Sequence, residues 1–270
     1  MASKSSKIVL PPRGKEKIDL DRFNYKVSYR DCLFTIYLPC ARSKPYYESR
    51  THHYIKLKIK EYIPPNWRKL IRICTISEVI GIIPEELEYQ IFNIFGDDYF
   101  YEHYPSYEEG DVQRTSNWLK EFITNEKYET KFNYCYCTSK IFREIALNSE
   151  IECLPIDFNQ SSALFEYRKT ENVKELMERI KFDYQNLLKS KFNKWKKQNS
   201  HPYKVLRFAK ENTPFKFREF KKRFEYLGNP IANIGTFCHE SDSDKGIFLY
   251  YNERDKRYYF PRFIKELLDF

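Results

Sequence analysis

Glycine is scarce in this chain. Its 270 residues include seven, at positions 14, 81, 96, 110, 228, 235 and 246, against an average usage of roughly 7%. No two lie closer than seven residues apart. A G-x-G-x-x-G dinucleotide loop, a Walker phosphate loop and a G-x-S-x-G nucleophile elbow all need clustered glycines for tight turns or close backbone approach. Nucleotide-dependent and ordinary hydrolase chemistry are therefore disfavoured. Long apolar runs are also missing: no stretch nears the roughly 18 residues that would span a bilayer, and the start MASKSSKIVLPPRGKEK has no apolar signal-peptide core. A cytoplasmic protein with no membrane partner is expected. The cysteines, at 32, 40, 74, 135, 137, 153 and 238, are odd in number and include no C-x-x-C pair. That argues against a disulfide framework, a zinc ribbon or an iron–sulfur site. Cys135 and Cys137 would share one face of a strand, where an apolar run favours core packing over metal binding. His53, His103, His201 and His239 show no ligand spacing, so neither a metal nor another cofactor is expected.

What is present is a soluble-type composition, 41% apolar and 31% charged with a mean hydropathy of −0.72, long enough for one large core or two modest ones. The net charge of +9 is concentrated. Residues 189–223 hold thirteen Lys and Arg against Glu211 and Glu219, a local +11 that leaves −2 for the rest. Lys189, Lys191, Lys194, Lys196, Lys197, Lys221, Lys222 and Arg223 are candidate nucleic-acid contacts. The interleaved Phe192, Trp195, Tyr203, Phe208, Phe215, Phe217, Phe220 and Phe224 suit base stacking. The helical spacing of 217, 220 and 224 instead favours a core face, with the lysines outside.

Short apolar runs at 32–39 (CLFTIYLP), 71–79, 132–137 and 151–156 suit buried strands. Helices are expected at 49–63, capped by Ser49 and ended by Pro64-Pro65, and at 111–124 and 139–148. Parallel strands joined by helices give a three-layer α/β domain with a mainly parallel central sheet, its site beyond the carboxyl ends of the strands. From 171 the pattern becomes a long amphipathic helix, with Val173, Leu176, Met177, Ile180, Tyr184, Leu187, Leu188 and Trp195 in one stripe. Helices at 203–210 and 214–226, a small β-meander from GTFCHE, GIFLYY and KRYYFP, and a helix at 262–268 follow. The expected organisation is an extension at 1–29, an α/β catalytic core at 30–164 and a basic helical and β-hairpin region at 165–270.

The most chemical segment is 39–52, PCARSKPYYESRTH, placed directly after the first strand. Within fourteen residues it carries a thiol (Cys40), an ammonium (Lys44), a phenol (Tyr46), a hydroxyl (Ser49) and an imidazole (His52), with Pro39 and Pro45 stiffening the loop. The pattern Pro-Cys-x3-Lys-Pro-Tyr-x2-Ser-x2-His resembles the signature of the lysine-transferring core domain of archaeosine synthase, related to the archaeal tRNA-guanine transglycosylases. The stretch ISEVIGIIPEELE at 76–88 resembles a second segment of that family through Gly81, Pro84, Leu87 and Glu88. The resemblance covers about residues 30–158. A later Tyr-Asp segment is blurred into DDYFYEHYP, and Thr138-Ser139 stand where glycines are often found. Counterparts of the family's transglycosylase-like and PUA domains are absent from the sequence, and residues 165–270 are expected to take over their tRNA contacts.

The resemblance implies transfer of free lysine through its side-chain amine onto the nitrile of 7-cyano-7-deazaguanine in tRNA, giving an amidine without ATP. It implies that Cys40, His52 and Lys44 are catalytic and that Pro39, Tyr46 and Ser49 bind substrate. In one scheme Cys40 adds to the nitrile as a thioimide that lysine displaces, with His52 moving the protons. In the other, lysine attacks directly while Lys44 and Tyr46 polarise the nitrogen and Cys40 lines the pocket. Glu78 and Glu88 are candidates for holding the lysine α-amine. The implied partners are tRNA and lysine, with a radical-SAM enzyme or a separate tRNA-binding subunit alongside. A non-catalytic nucleic-acid-binding subunit, or the same chemistry on DNA, are the alternatives.

Overall fold

A computed structural model describes residues 17, 19, 32–41, 45–78, 80–95, 109–126, 128–157, 159, 166–224, 234, 237–238 and 247–268. The chain divides into two compact units, Met1–Tyr62 with Ile71–Leu176, and Ile63–Leu70 with Met177–Phe270.

The first unit is built on β1 (Phe34–Pro39), β2 (Ile71–Ser77), β3 (Gly81–Pro84), β4 (Phe132–Tyr136) and β5 (Glu152–Leu154). They form one sheet in the order β3-β2-β1-β4-β5. β1 runs parallel to β2 and to β4, and β4 parallel to β5, while β3 turns back antiparallel on β2. This is the expected α/β fold with a mainly parallel sheet. Four of the five strands coincide with the apolar runs, because a parallel strand in the middle layer is covered on both faces. Registry aligns Cys74, Tyr37, Cys135 and Cys153 across the sheet. They pack in one core with Leu87 and Ile91 of α3 (Glu85–Phe95), Leu119 and Phe122 of α4 (Glu109–Thr124), and Phe142, Ile145 and Ala146 of α5 (Lys140–Asn148). On the opposite face Phe34, Ile36 and Leu38 are buried, and the Phe34 ring stacks on Phe132 at 5.0 Å.

The antiparallel β3 and helix α3 were not expected from the pattern. Four residues, GIIP, give too short a run to separate from the preceding strand. Gly81 makes the reversal possible: its φ of 96° lies in the left-handed region, and a Cβ there would approach Lys17 Cγ to 3.3 Å. Gly81→Ala should therefore cost roughly 1–2 kcal/mol, visible as a melting temperature lowered by a few degrees. An unchanged melting temperature would show that the turn does not depend on glycine.

In the second unit the short helix α2 (Pro65–Arg68) presents Trp67 edge-on to Tyr184 at 4.4 Å and to Phe263 at 5.1 Å. The long helix α6 (Thr170–Lys197) begins in the first unit, and the division falls within it at Leu176 and Met177. Helices α7 (His201–Asn212) and α8 (Phe217–Phe224) follow, then a hairpin of β6 (Tyr250–Asn252) with β7 (Arg257–Tyr259), and α9 (Arg262–Leu267). The expected meander is thus, among the described residues, a two-stranded hairpin. Phe237 and Cys238 of the GTFCHE stretch form a turn, and residues 235–236 and 239–246 lie outside the described residues. Among the described residues, no helix is long and apolar enough to cross a membrane.

Candidate active site at the carboxyl end of the central strand

The order β3-β2-β1-β4-β5 makes β1 the strand from which the chain first builds one way, to β2, and then the other way, to β4. Such a reversal opens a crevice at the carboxyl ends of the two diverging strands, where α/β proteins bind ligands. Cys40 is the first residue past β1, held there by a hydrogen bond from its backbone N–H to the Ile76 carbonyl at 3.0 Å. Glu78 is the first residue past β2. Parallel pairing sets Pro39 beside Ile76, and the first side chain past each strand reaches the other: the Cys40 thiol donates to Glu78 Oε2 at 3.4 Å. Glu78 is buried while Cys40 keeps partial access to solvent.

The rest of the motif forms the wall of this pair. Residues 46–48 make one turn of 3-10 helix, followed by α1 (Arg50–Tyr62). Ser49 caps α1 as expected, its Oγ accepting from the His52 backbone N–H at 3.2 Å. The His52 ring is buried, its Nε2 sits 3.1 Å from the Pro39 carbonyl oxygen, and it stacks with Tyr46 at 6.1 Å between ring centroids. His52 therefore ties the start of α1 to the residue immediately before the thiol. Tyr46 is fully buried behind the loop. Lys44 lies outside the described residues.

Glu88, on α3, accepts the Tyr47 backbone N–H on both carboxylate oxygens at 3.1 Å. It anchors the 3-10 turn, and Lys56 pairs with the neighbouring Glu85. Burial raises the Glu88 carboxyl from its ordinary 4.5 to about 8, with the Tyr47 and Tyr46 N–H groups pulling the other way. A carboxyl whose folded value stands above the unfolded one favours folding in its protonated form. Its stabilisation is complete below pH about 4.5 and is lost as pH rises through about 8. Thermal unfolding of the wild type and Glu88→Gln from pH 4 to 9 should give a difference in stability that falls by about 4–5 kcal/mol across that window, at ~1.4 kcal/mol per unit. A flat difference would mean that Glu88 stays ionised in the folded protein.

Arg114 was not singled out by the sequence. Its Nη2 donates to Asp111 Oδ1 at 2.6 Å and to the Glu78 carbonyl at 3.4 Å, and its guanidinium lies over the Trp118 ring at 5.2 Å. The buried Nε has no hydrogen-bond partner among the described residues. A polar pair three residues apart looks like a solvated helix face, and only the fold of α4 against β3 brings it beside Glu78. The site thus holds a thiol against a carboxylate, with an Asp–Arg pair adjoining. These groups suit nucleophilic addition and recognition of a zwitterion.

The proposed nucleic-acid contacts belong to the second unit. Lys189, Lys194, Lys197, Lys221, Lys222 and Arg223 are exposed, and Lys191 and Lys196 are half-buried. Phe192, Phe215, Phe220 and Phe224 are core, with Phe208 meeting Phe215 at 5.3 Å and Phe220 meeting Phe224 at 4.8 Å. Those rings hold the helices together and leave the charges outside, so they do not offer stacking faces to bases.

No curated protein matches the chain. The solved structure described as "Crystal structure of AF0587, a protein of unknown function" is similar at 20% identity and a TM-score of 0.38, over 55% of this chain and 44% of that one. The chain thus spans less than half the length of that protein. Both strand ends that carry the thiol–carboxylate pair fall within residues 20–180, which match the model described as Domain of unknown function (DUF5591), and the chain belongs to that family.

Proposed function

We propose that this protein is a lysine transferase that forms an amidine on the nitrile of a 7-cyano-7-deazaguanine base in tRNA. The observation that carries this reading is the contact of Cys40, in a segment with all seven positions of the pattern that resembles the lysine-transfer signature, with Glu78 just past the neighbouring strand β2.

The pair favours the covalent scheme over direct attack. The Cys40 sulfur adds to the nitrile carbon, one C–N π bond opens, and the thiol proton passes by way of Glu78 to the nitrogen, giving a thioimide. The lysine ε-amine then adds to the same carbon, Glu78 relays its proton to the sulfur, and the C–S bond breaks. Lysine ammonium and nitrile together make one amidinium, so atoms and charge balance without ATP or a leaving group. The proton carrier in this scheme is Glu78, with His52 holding the backbone of Pro39 in place. Arg114 and Asp111 offer the charges that a lysine α-carboxylate and α-ammonium need. The exposed lysines of α6 and α8 would meet tRNA phosphates.

Incubating the protein with nitrile-bearing tRNA in the absence of lysine should leave a nucleic-acid adduct on Cys40, found by peptide mass mapping and released by added lysine. Absence of an adduct, with turnover intact, would favour direct attack by lysine.

A further inference from the structure

We infer that Cys135, Cys137 and Cys153 form a buried three-thiolate site for a soft metal ion, matched best by cuprous copper. Cys135 and Cys137 project from one face of the chain around β4 because side chains alternate along a strand. Parallel pairing of β4 with β5 then puts Cys153 directly beside Cys135. The three sulfur atoms all lie within 4.8 Å of one another, and those of Cys135 and Cys137 are 3.5 Å apart. Three sulfurs each about 2.3 Å from one ion stand roughly 4 Å from each other. The trio therefore needs only sub-ångström adjustment to close on a metal.

The surroundings suit such an ion. All three cysteines are buried in a core with Phe142, Ile145, Ala146 and Ile151, which keeps water away. Arg143 donates to the carbonyl of Cys137 at 3.4 Å and of Pro155 at 2.6 Å. Its fixed charge at the ends of both cysteine-bearing strands offsets thiolate charge. Among the described residues no histidine, aspartate, glutamate or fourth cysteine joins the group. Soft thiolates select cuprous copper, zinc and iron–sulfur clusters, and structural zinc and the common clusters take four ligands where this group has three. As each sulfur–metal bond forms, a thiol proton leaves to solvent, and copper already in the cuprous state requires no electron transfer. The bound ion would cross-link β4 to β5. Sequence spacing conceals the site, because Cys153 joins the other two only through strand registry.

The test is an anaerobic titration of the reduced full-length protein with cuprous ion against a chromophoric chelator, followed by X-ray absorption at the copper edge. One equivalent should bind, with three sulfurs in a single shell at about 2.3 Å. Cys137→Ser and Cys153→Ser should each weaken binding by more than the roughly 10–100-fold that loss of an outer-shell partner costs, and Cys32→Ser and Cys238→Ser should leave it unchanged. The absorption measurement is made on the wild type, so a variant that fails to fold does not blunt the test. Fewer than three sulfurs around the copper, or binding unaffected by Cys153→Ser, would overturn the site. Zinc held by the trio in preference to copper would overturn the assignment to a soft monovalent ion.

Discussion

Cys40→Ala should lower lysine transfer by at least the roughly 10²–10⁴-fold that removing a proton-transfer or charge-stabilising group costs, while tRNA affinity changes by less than about twofold. The thiol sits past β1, partly accessible, against the Glu78 carboxylate at 3.4 Å, and alanine removes the atom to which the proposed scheme assigns the covalent bond. Glu78→Gln keeps the shape of the pair but cannot carry a proton. It should reduce turnover within the same range and slow adduct formation, with Cys40 still open to alkylation. If Cys40 merely lines the pocket, Cys40→Ala will retain appreciable turnover and Glu78→Gln will behave as a mild packing change. His52→Ala should act differently from both, because its buried ring braces the Pro39 carbonyl and stacks on Tyr46. Its loss should lower thermal stability along with activity, and full activity would remove the role of that brace.

Affinity for tRNA should fall by about 10³–10⁵ between 50 and 200 mM salt, the response of a protein that neutralises six to ten phosphates. The charges proposed to meet the phosphates stand on the outer side of helices that bury aromatic rings on their inner side. Phe192 is buried within α6 while Lys189, Lys194 and Lys197 are exposed, and Phe220 and Phe224 are buried within α8 while Lys221, Lys222 and Arg223 are exposed. Replacing Lys194, Lys196 and Lys197 together by glutamine should flatten the slope of log affinity against log salt by up to about 3 units, near 0.9 for each phosphate that is no longer neutralised. An unchanged slope would assign these lysines to a solvated face.

The parallel strands were legible because each is a short apolar run covered on both faces, and α6 because Val173, Leu176, Met177, Ile180, Tyr184 and Leu188 recur at helical spacing and are all buried. The motif around Cys40 was legible because it is contiguous. What escaped the sequence depends on registry or on single turns. Glu78 could be named as a candidate, but its contact with a thiol 38 positions earlier follows only from the pairing of Pro39 with Ile76. Glu88 has the acidic character of any first helical turn, and nothing in its neighbours signals that it would be buried against the Tyr47 backbone. Arg114 lies in a segment whose polar residues read as solvent-facing. Cys153 sits on a three-residue strand whose pairing with β4 decides its neighbours.

The most direct test of lysine transfer is incubation of the protein with isotopically labelled lysine and tRNA carrying 7-cyano-7-deazaguanine, followed by digestion and mass analysis of the nucleosides. Amidine formation is an addition with no leaving group, so the modified nucleoside should gain the mass of one whole labelled lysine, losing neither water nor ammonia. An unlabelled nitrile nucleoside recovered intact, from protein that binds the same tRNA, would contradict the account and leave a nucleic-acid-binding protein without this chemistry.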